Sequence, residues 1–342
     1  MERGRGPPPP IEEARHSPDE EWCADTLIKL TRGVTAYRLE IPESGNDAQA
    51  DHVPLVVCLH DISNASYMWK DLAFLLQHVQ TGPPARVLVL DFYGSGRSPW
   101  CEGVKCTLDT FVHQVKELID VLGVSQEKYP FTIIGQGLGA AVAAGFTARY
   151  PTFVQSMALL NPAGIRFNET FLLESTTRIP FIGKWQWHRS VSHSLEDSTN
   201  LLYTTLREDA LHHALVKKDL SMLKWQATYT PGFYGAMLSK FEHFPLGKDA
   251  LYELYAALGA HPSRPMLIAT SDKDDLFGGS KRQNALHECF HSKSCQMVSF
   301  HAIGHNLCVE GFKETAALVL RHVEEAARLI RHAQDGYEED EE

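Results

Sequence analysis

Nowhere does this chain of 342 residues run to the roughly 18 consecutive apolar side chains that a membrane-spanning helix requires; its best runs, such as Val53 to Leu59, are short and strand-like. A transmembrane protein is therefore not expected. The seven cysteines, Cys23, Cys58, Cys101, Cys106, Cys289, Cys295 and Cys308, contain no CxxC pair and no metal-ligand spacing. Neither a disulfide framework nor a metal site is indicated, and the thiols read as small buried hydrophobes in a reducing compartment. A Lys/Arg-rich stripe is also missing, and the net charge of −11 would repel a phosphate backbone, which excludes nucleic acid as the expected partner. The opening residues lack the apolar core of a signal peptide, and their acidic members disfavour a mitochondrial presequence, so the cytoplasm is the expected location. No internal repeat is evident.

What is present fits a folded protein: 44% hydrophobic and 22% charged residues, close to ordinary globular composition. Residues 1–22 are rich in proline, glycine and charge without apolar period and read as a disordered leader, while 335–342 form an acidic tail. Between them, strand-like runs alternate with amphipathic stretches, the pattern of a mainly parallel sheet covered by helices. Leu27–Thr31 and Val34–Ile41, joined across Arg32-Gly33, read instead as an antiparallel hairpin. Strands are expected at Val53–Leu59, Val87–Leu90, Phe131–Ile134, Met157–Leu160, Pro265–Thr270 and Gln296–Phe300, and helices at Tyr67–Val79, after Thr107, at Leu138–Tyr150 and after Phe312. Residues 165–262 differ in being aromatic-rich and poor in strand pattern, which marks a helical insertion between core segments 23–164 and 263–334.

The segment Phe131-Thr132-Ile133-Ile134-Gly135-Gln136-Gly137-Leu138-Gly139-Ala140 places small residues where a strand turns sharply into a helix. Gly135, Gly137 and Ala140 fit the GxGxxA spacing of a dinucleotide site, but the acidic residue expected about 20 positions on is replaced by Asn161-Pro162, and three candidate strands precede the turn. No cofactor is therefore expected. Gly135 and Gly139 equally fit the flanking positions of a GxSxG nucleophile elbow, with Gly137 in the centre.

Further landmarks stand in order: Leu59-His60, then Asp91-Phe92-Tyr93-Gly94-Ser95-Gly96-Arg97-Ser98, the elbow, Leu267-Ile268-Ala269-Thr270-Ser271-Asp272-Lys273-Asp274, and Gly304-His305. Together they resemble the α/β-hydrolase family over nearly all of residues 25–333, in the branch of monoacylglycerol lipases, esterases and epoxide hydrolases. The resemblance implies an α/β-hydrolase fold, with 165–262 as its helical cap. It also implies that His305 stands at the base position, Asp274 or alternatively Asp272 at the acid position, and Gly137 at the nucleophile position, with the backbone N–H groups of Ile62 and Leu138 as oxyanion-hole donors.

An acyl-transfer triad needs a nucleophile, an imidazole that takes its proton and a carboxylate that orients the imidazole. Glycine can form no acyl-enzyme. The family's His-Gly at the oxyanion loop also reads His60-Asp61 here, and a carboxylate there would oppose a developing oxyanion. Ser63, Ser66, Ser98 and Cys308 are the candidate substitute nucleophiles, and a water above Gly137 activated by His305 is another route. The expectation is a degenerate family member that binds a hydrophobic, ester-like or lipid-like ligand or a protein partner. An active hydrolase of carboxylic esters or lipids and a protein-interaction module are the alternatives. The aromatic insertion leaves room for an apolar pocket and for peripheral contact with a lipid surface.

Overall fold

The computed structural model describes residues 24–42, 53–79, 84–124, 130–165, 210–247, 249–260, 264–274, 279–290 and 295–339. The stretch expected to be a leader, Cys23, Asp275 and residues 166–209 of the expected insertion, with Phe167, Phe171, Phe181, Trp185, Trp187 and Tyr203, lie outside these residues.

Eight strands form one sheet: β1 (Thr26–Leu30), β2 (Gly33–Glu40), β3 (Leu55–Leu59), β4 (Arg86–Leu90), β5 (Phe131–Gln136), β6 (Val154–Leu160), β7 (Met266–Ser271) and β8 (Cys295–Phe300). Their spatial order is β1-β2-β4-β3-β5-β6-β7-β8. β1 and β2 form the antiparallel hairpin, with Leu30 opposite Gly33, and β2 runs antiparallel to β4, whereas every pairing from β4 through β8 is parallel. The central strands read as unbroken apolar runs because both of their faces are covered. Val57, Leu59, Leu88, Leu90, Ile133 and Leu159 belong to one core cluster; Val56, Cys58, Val87, Val89, Ile134 and Leu160 belong to the other. The period-two alternation thus assigns neighbours to opposite faces.

Helices complete the layers. Phe111, Val115, Leu118 and Ile119 of α2 (Leu108–Leu122) and the alanine-rich face of α3 (Leu138–Arg149) fill the first cluster, while Leu72 and Leu76 of α1 (Lys70–Gln77) fill the second. Each such buried leucine or phenylalanine stabilises the fold by about 1.5–3 kcal/mol. The α2 start is legible in the sequence: Thr107 Oγ1 accepts the Thr110 N–H at 3.1 Å, the N-cap bond that threonine is suited to make. The helix expected from Tyr67 begins instead as a 3-10 turn, Ser66–Trp69, before α1.

The described part of the insertion is helical: α4 (Ala210–Tyr229), α5 (Phe233–His243) and α6 (Tyr252–Ala260). After β7 come α7 (Gly279–Cys289), the short α8 (Leu307–Glu310) and α9 (Phe312–Glu339). Val319 and Val323 of α9 join the second cluster, and the helix continues into the stretch read as an acidic tail. No helix among the described residues is long and apolar enough to cross a membrane.

Candidate functional site

The loops that leave the carboxyl ends of β3, β5, β7 and β8 converge, the usual position for a ligand site in an open α/β sheet. Gly137 forms the junction between β5 and α3 with φ +54° and ψ −115°, a backbone conformation that side chains rarely tolerate. The glycines on either side serve close approach. A Cβ on Gly135 would lie 2.3 Å from the Gly139 carbonyl oxygen, and one on Gly139 would lie 2.2 Å from that of Leu59, so α3 could not pack against the strand ends.

His305, in the loop after β8, sits between two carboxylates. Its Nδ1–H donates to Asp274 Oδ2 at 2.8 Å and its Nε2–H donates to Asp61 Oδ2 at 2.6 Å. Asp61 is 1% exposed, Asp274 0% and His305 3%. Ionised carboxylates only accept, so an imidazole bonded to both must carry both protons. The electrostatics agree. Burial alone would lower the His305 pKa, but the Asp274 and Asp61 charges outweigh it and raise it to about 10. Burial likewise works to raise both carboxylates; Asp61 is nonetheless held below its ordinary range by His305 and by the Leu138 and Ile62 N–H groups, and Asp274 by Arg282 and His305.

Asp61 was expected to lie beside the oxyanion loop; its side chain fills the site. Oδ1 accepts the Leu138 N–H at 2.7 Å, and the Ile62 N–H adds to the same carboxylate. The two backbone donors predicted for an oxyanion are therefore already engaged within the chain. A Cβ built on Gly137 would lie 1.8 Å from Asp61 Oδ1. The expected room for a water above Gly137 is thus taken by a carboxylate oxygen.

The substitute nucleophiles fare no better. Ser66 Oγ accepts the Ala24 N–H, and Ser98 Oγ donates to the Asp91 carbonyl while accepting the Ala36 N–H. Ser63 is buried, with its carbonyl bonded to Gln226, and burial pushes the Cys308 thiol far from the ionised form. Of the two acid candidates, Asp274 is the one at His305. Asp272 turns outward, accepting from the Ala302 N–H at 2.9 Å and facing His301.

Four residues that sequence reasoning passed over hold this arrangement. Arg282 on α7, wholly buried, places Nη1 2.7 Å from Asp274 Oδ2 and donates from Nη2 to Asn161 Oδ1 at 2.6 Å. Asn161, after β6, donates to Ser271 Oγ and to the His305 carbonyl, both at 2.8 Å, and so joins the ends of β6, β7 and the histidine loop. Glu310 accepts from the Gly304 and Asn306 N–H groups on either side of His305; burial raises its pKa to about 7. Lys240 on α5 is fully buried and donates to the Ile62 carbonyl at 3.0 Å and Ser95 Oγ at 2.8 Å, its pKa lowered by that burial to about 8. Asn161 alone left a local signal, an Asn-Pro break after a strand, and it adopts φ +45°. His60, by contrast, is a neutral structural residue: Nδ1–H donates to the Asp61 carbonyl, Nε2 accepts the Phe92 N–H, and burial lowers its pKa to about 3.

Sheet order, covering helices and site placement together define an α/β-hydrolase fold. A family model described as serine aminopeptidase S33 matches residues 55–311, well over half of the chain, and the chain belongs to that family. Among solved structures it is similar to MGS-M2, an α/β-hydrolase enzyme from a Medee basin deep-sea metagenome library (TM-score 0.63, 20% identity, covering 87% of this chain and 96% of that one). It is also similar to the enol-lactonase from Burkholderia xenovorans LB400 (TM-score 0.63, 17% identity, 87% of this chain and 99% of that one). At such identities these likenesses speak for the fold alone. Curated relatives include a serine hydrolase-like protein of Danio rerio, 28% identical over 143 residues, which are 41% of either chain. The 2-hydroxymuconate semialdehyde hydrolase of Pseudomonas sp. strain CF600 is 24% identical over 185 residues, 54% of this chain and 58% of that protein. Monoacylglycerol lipase ABHD6 of Homo sapiens is 25% identical over 118 residues, 34% of this chain and 33% of that protein. The chain thus spans at most 58% of the length of these three relatives.

Proposed function

We propose that this chain is a serine-hydrolase relative that does not carry out serine-type acyl transfer, and that it binds a hydrophobic, ester-like ligand or a partner protein. Gly137 stands where the family places its nucleophile, His305 and Asp274 where it places base and acid, and the Ile62 and Leu138 amides where it places the oxyanion donors. One observation carries the reading: the Asp61 carboxylate lies in the volume a Gly137 side chain would need and keeps His305 protonated on both nitrogens. A doubly protonated imidazole has no lone pair with which to accept a proton, so neither a hydroxyl nor a water can be activated by it in this state. The ligand class rests on the family and on relatives named as a monoacylglycerol lipase and a semialdehyde hydrolase.

The test is a serine-directed fluorophosphonate probe with a panel of short- and long-chain acyl esters, applied to the native protein and to His305→Ala. Neither labelling nor His305-dependent turnover is expected. Ester turnover by the native protein that disappears in His305→Ala would overturn the proposal in favour of an active hydrolase, the reading that the retained His305–Asp274 pair supports.

A further inference from the structure

The donors around Asp61 come from three separate parts of the chain: the Leu138 N–H at the start of α3, the Ile62 N–H in the loop after β3, and the His305 Nε2–H in the loop after β8. Two further constraints keep them in place without Asp61. Lys240 holds the Ile62 carbonyl, and Glu310 and Asn161 hold the histidine loop. The donor set is complete for one carboxylate: the Leu138 N–H on one oxygen, an imidazolium on the other, and the Ile62 N–H added to the same group. The room is provided by the hydrogen at Gly137, since a Cβ there would occupy the same space.

We infer that this cradle is a preformed binding site for a small monocarboxylate, which Asp61 occupies as an intramolecular ligand. The side-chain atoms removed by Asp61→Gly, one CH2 and one carboxylate, are those of acetate. Free acetate or formate therefore takes the vacated place.

Charge balance adds a signature. In the native protein Asp61 and Asp274 oppose His305 and Arg282, two negative groups against two positive. The other titratable groups bearing on His305 are Glu310, which brackets it from α8, and Lys240, which acts on Asp61 from α5. Without Asp61, Asp274 is balanced by Arg282 alone, and a charged His305 is then in excess, so the imidazole releases its proton. Binding an anion restores it. Carboxylate binding is thus accompanied by uptake of one proton, and affinity falls up to about tenfold per pH unit above the His305 pKa of the vacant variant.

The experiment uses Asp61→Gly titrated with sodium acetate, followed by thermal unfolding and by isothermal calorimetry at about pH 6 and about pH 8, with sodium chloride and acetamide as controls. Saturable stabilisation with a dissociation constant on the order of a millimolar is expected, tighter at the lower pH. It should be absent with acetamide, in the native protein and in Asp61→Gly/His305→Gln. A folded Asp61→Gly that gains no more from about 100 mM acetate than from equal chloride would overturn the inference, as would an equal gain by the native protein. Should Asp61→Gly not fold in plain buffer, its refolding yield in acetate against chloride gives the same decision, and Asp61→Ser offers a less disruptive vacancy. The inference deepens the reading of Ile62 and Leu138 as the donor pair but is separable from the missing nucleophile. Ester turnover by the native protein would sink the proposed function and leave the cradle, whereas absent acetate binding would do the reverse.

Discussion

Introducing serine at position 137 should fail unless Asp61 is removed with it. In Gly137→Ser the new Cβ would lie 1.8 Å from Asp61 Oδ1 and 2.3 Å from its Cγ, far inside contact distance, so the carboxylate must leave. Its departure breaks a buried ion pair with His305, at about 3–5 kcal/mol. Serine must also adopt φ +54°, at about 1–3 kcal/mol. These contributions share atoms and will not add fully, so a loss of about 4–6 kcal/mol is expected, enough to lower the melting temperature by ~6–8 °C in a chain of this length. In Asp61→Gly/Gly137→Ser the clash is gone, because the hydroxyl enters space the carboxylate has vacated and faces His305 Nε2; the backbone cost persists, together with the loss of the acceptor for the Leu138 and Ile62 N–H groups. With Asp61 absent, His305 can give up its second proton and act as a base. The four proteins, native, two singles and the double, are compared by fluorophosphonate labelling, acetyl-ester turnover and thermal unfolding. The double variant alone should label, with turnover at least ~100-fold above native, lost again on adding His305→Ala. If Gly137→Ser alone labels as fully as the double and melts with the native protein, the steric and electrostatic reasoning about Asp61 is wrong.

Other consequences are simpler. The His305 pKa is raised from its ordinary value of 6.5 to about 10, so its ion-pair stabilisation is complete below about pH 6.5 and lost as pH rises through about 10. Urea unfolding across that range should show a fall of about 3–5 kcal/mol in the native protein and a much smaller one in Asp61→Asn. Asp274→Asn should cost about 3–5 kcal/mol by equilibrium unfolding, since Arg282 and His305 both lean on that carboxylate, while partly exposed Asp272 changed to Asn should cost about 1 kcal/mol or less. Lys240→Met leaves the Ile62 carbonyl and Ser95 hydroxyl without their donor, at about 1–3 kcal/mol each, partly offset by no longer burying an ammonium. Hydrogen exchange should quicken selectively in Phe233–His243, and unchanged protection there would count against Lys240 as the fastening of α5.

Local pattern revealed the elements, and a resemblance spread along the chain pointed to the candidate site. Strands buried on both faces announce themselves as short β-branched runs, and Pro54 explains why β3 starts at Leu55 rather than Val53. The elbow glycines, His305 and Asp274 stood out because several moderate motifs occurred in order. Asp61 was visible only as a departure from His-Gly. Nothing in its own neighbourhood says that its carboxylate reaches a histidine 244 positions away. Arg282 was illegible for the same reason: its partners Asp274 and Asn161 are chosen by the sheet order, which brings the ends of β6 and β7 together, and no local period encodes that.

Gly137 and Asp61 are best understood as one steric and electrostatic unit. Asp61 with a serine at 137 would overlap it, and Gly137 with a glycine at 61 would leave the Leu138 and Ile62 N–H groups and His305 Nε2 facing a buried hole. Each orphaned donor there costs about 1–3 kcal/mol. The pair as it stands has neither fault: the missing Cβ makes room for the carboxylate, and the carboxylate satisfies the donors that a nucleophile and an oxyanion would otherwise use. The surrounding supports, Arg282 on Asp274, Asn161 and Glu310 on the histidine loop, and Lys240 on the Ile62 carbonyl, all hold a closed polar cluster in which Asp61 and Asp274 are matched by His305 and Arg282. Binding at this end of the sheet must therefore either proceed without disturbing the cluster or bring a negative group able to displace Asp61.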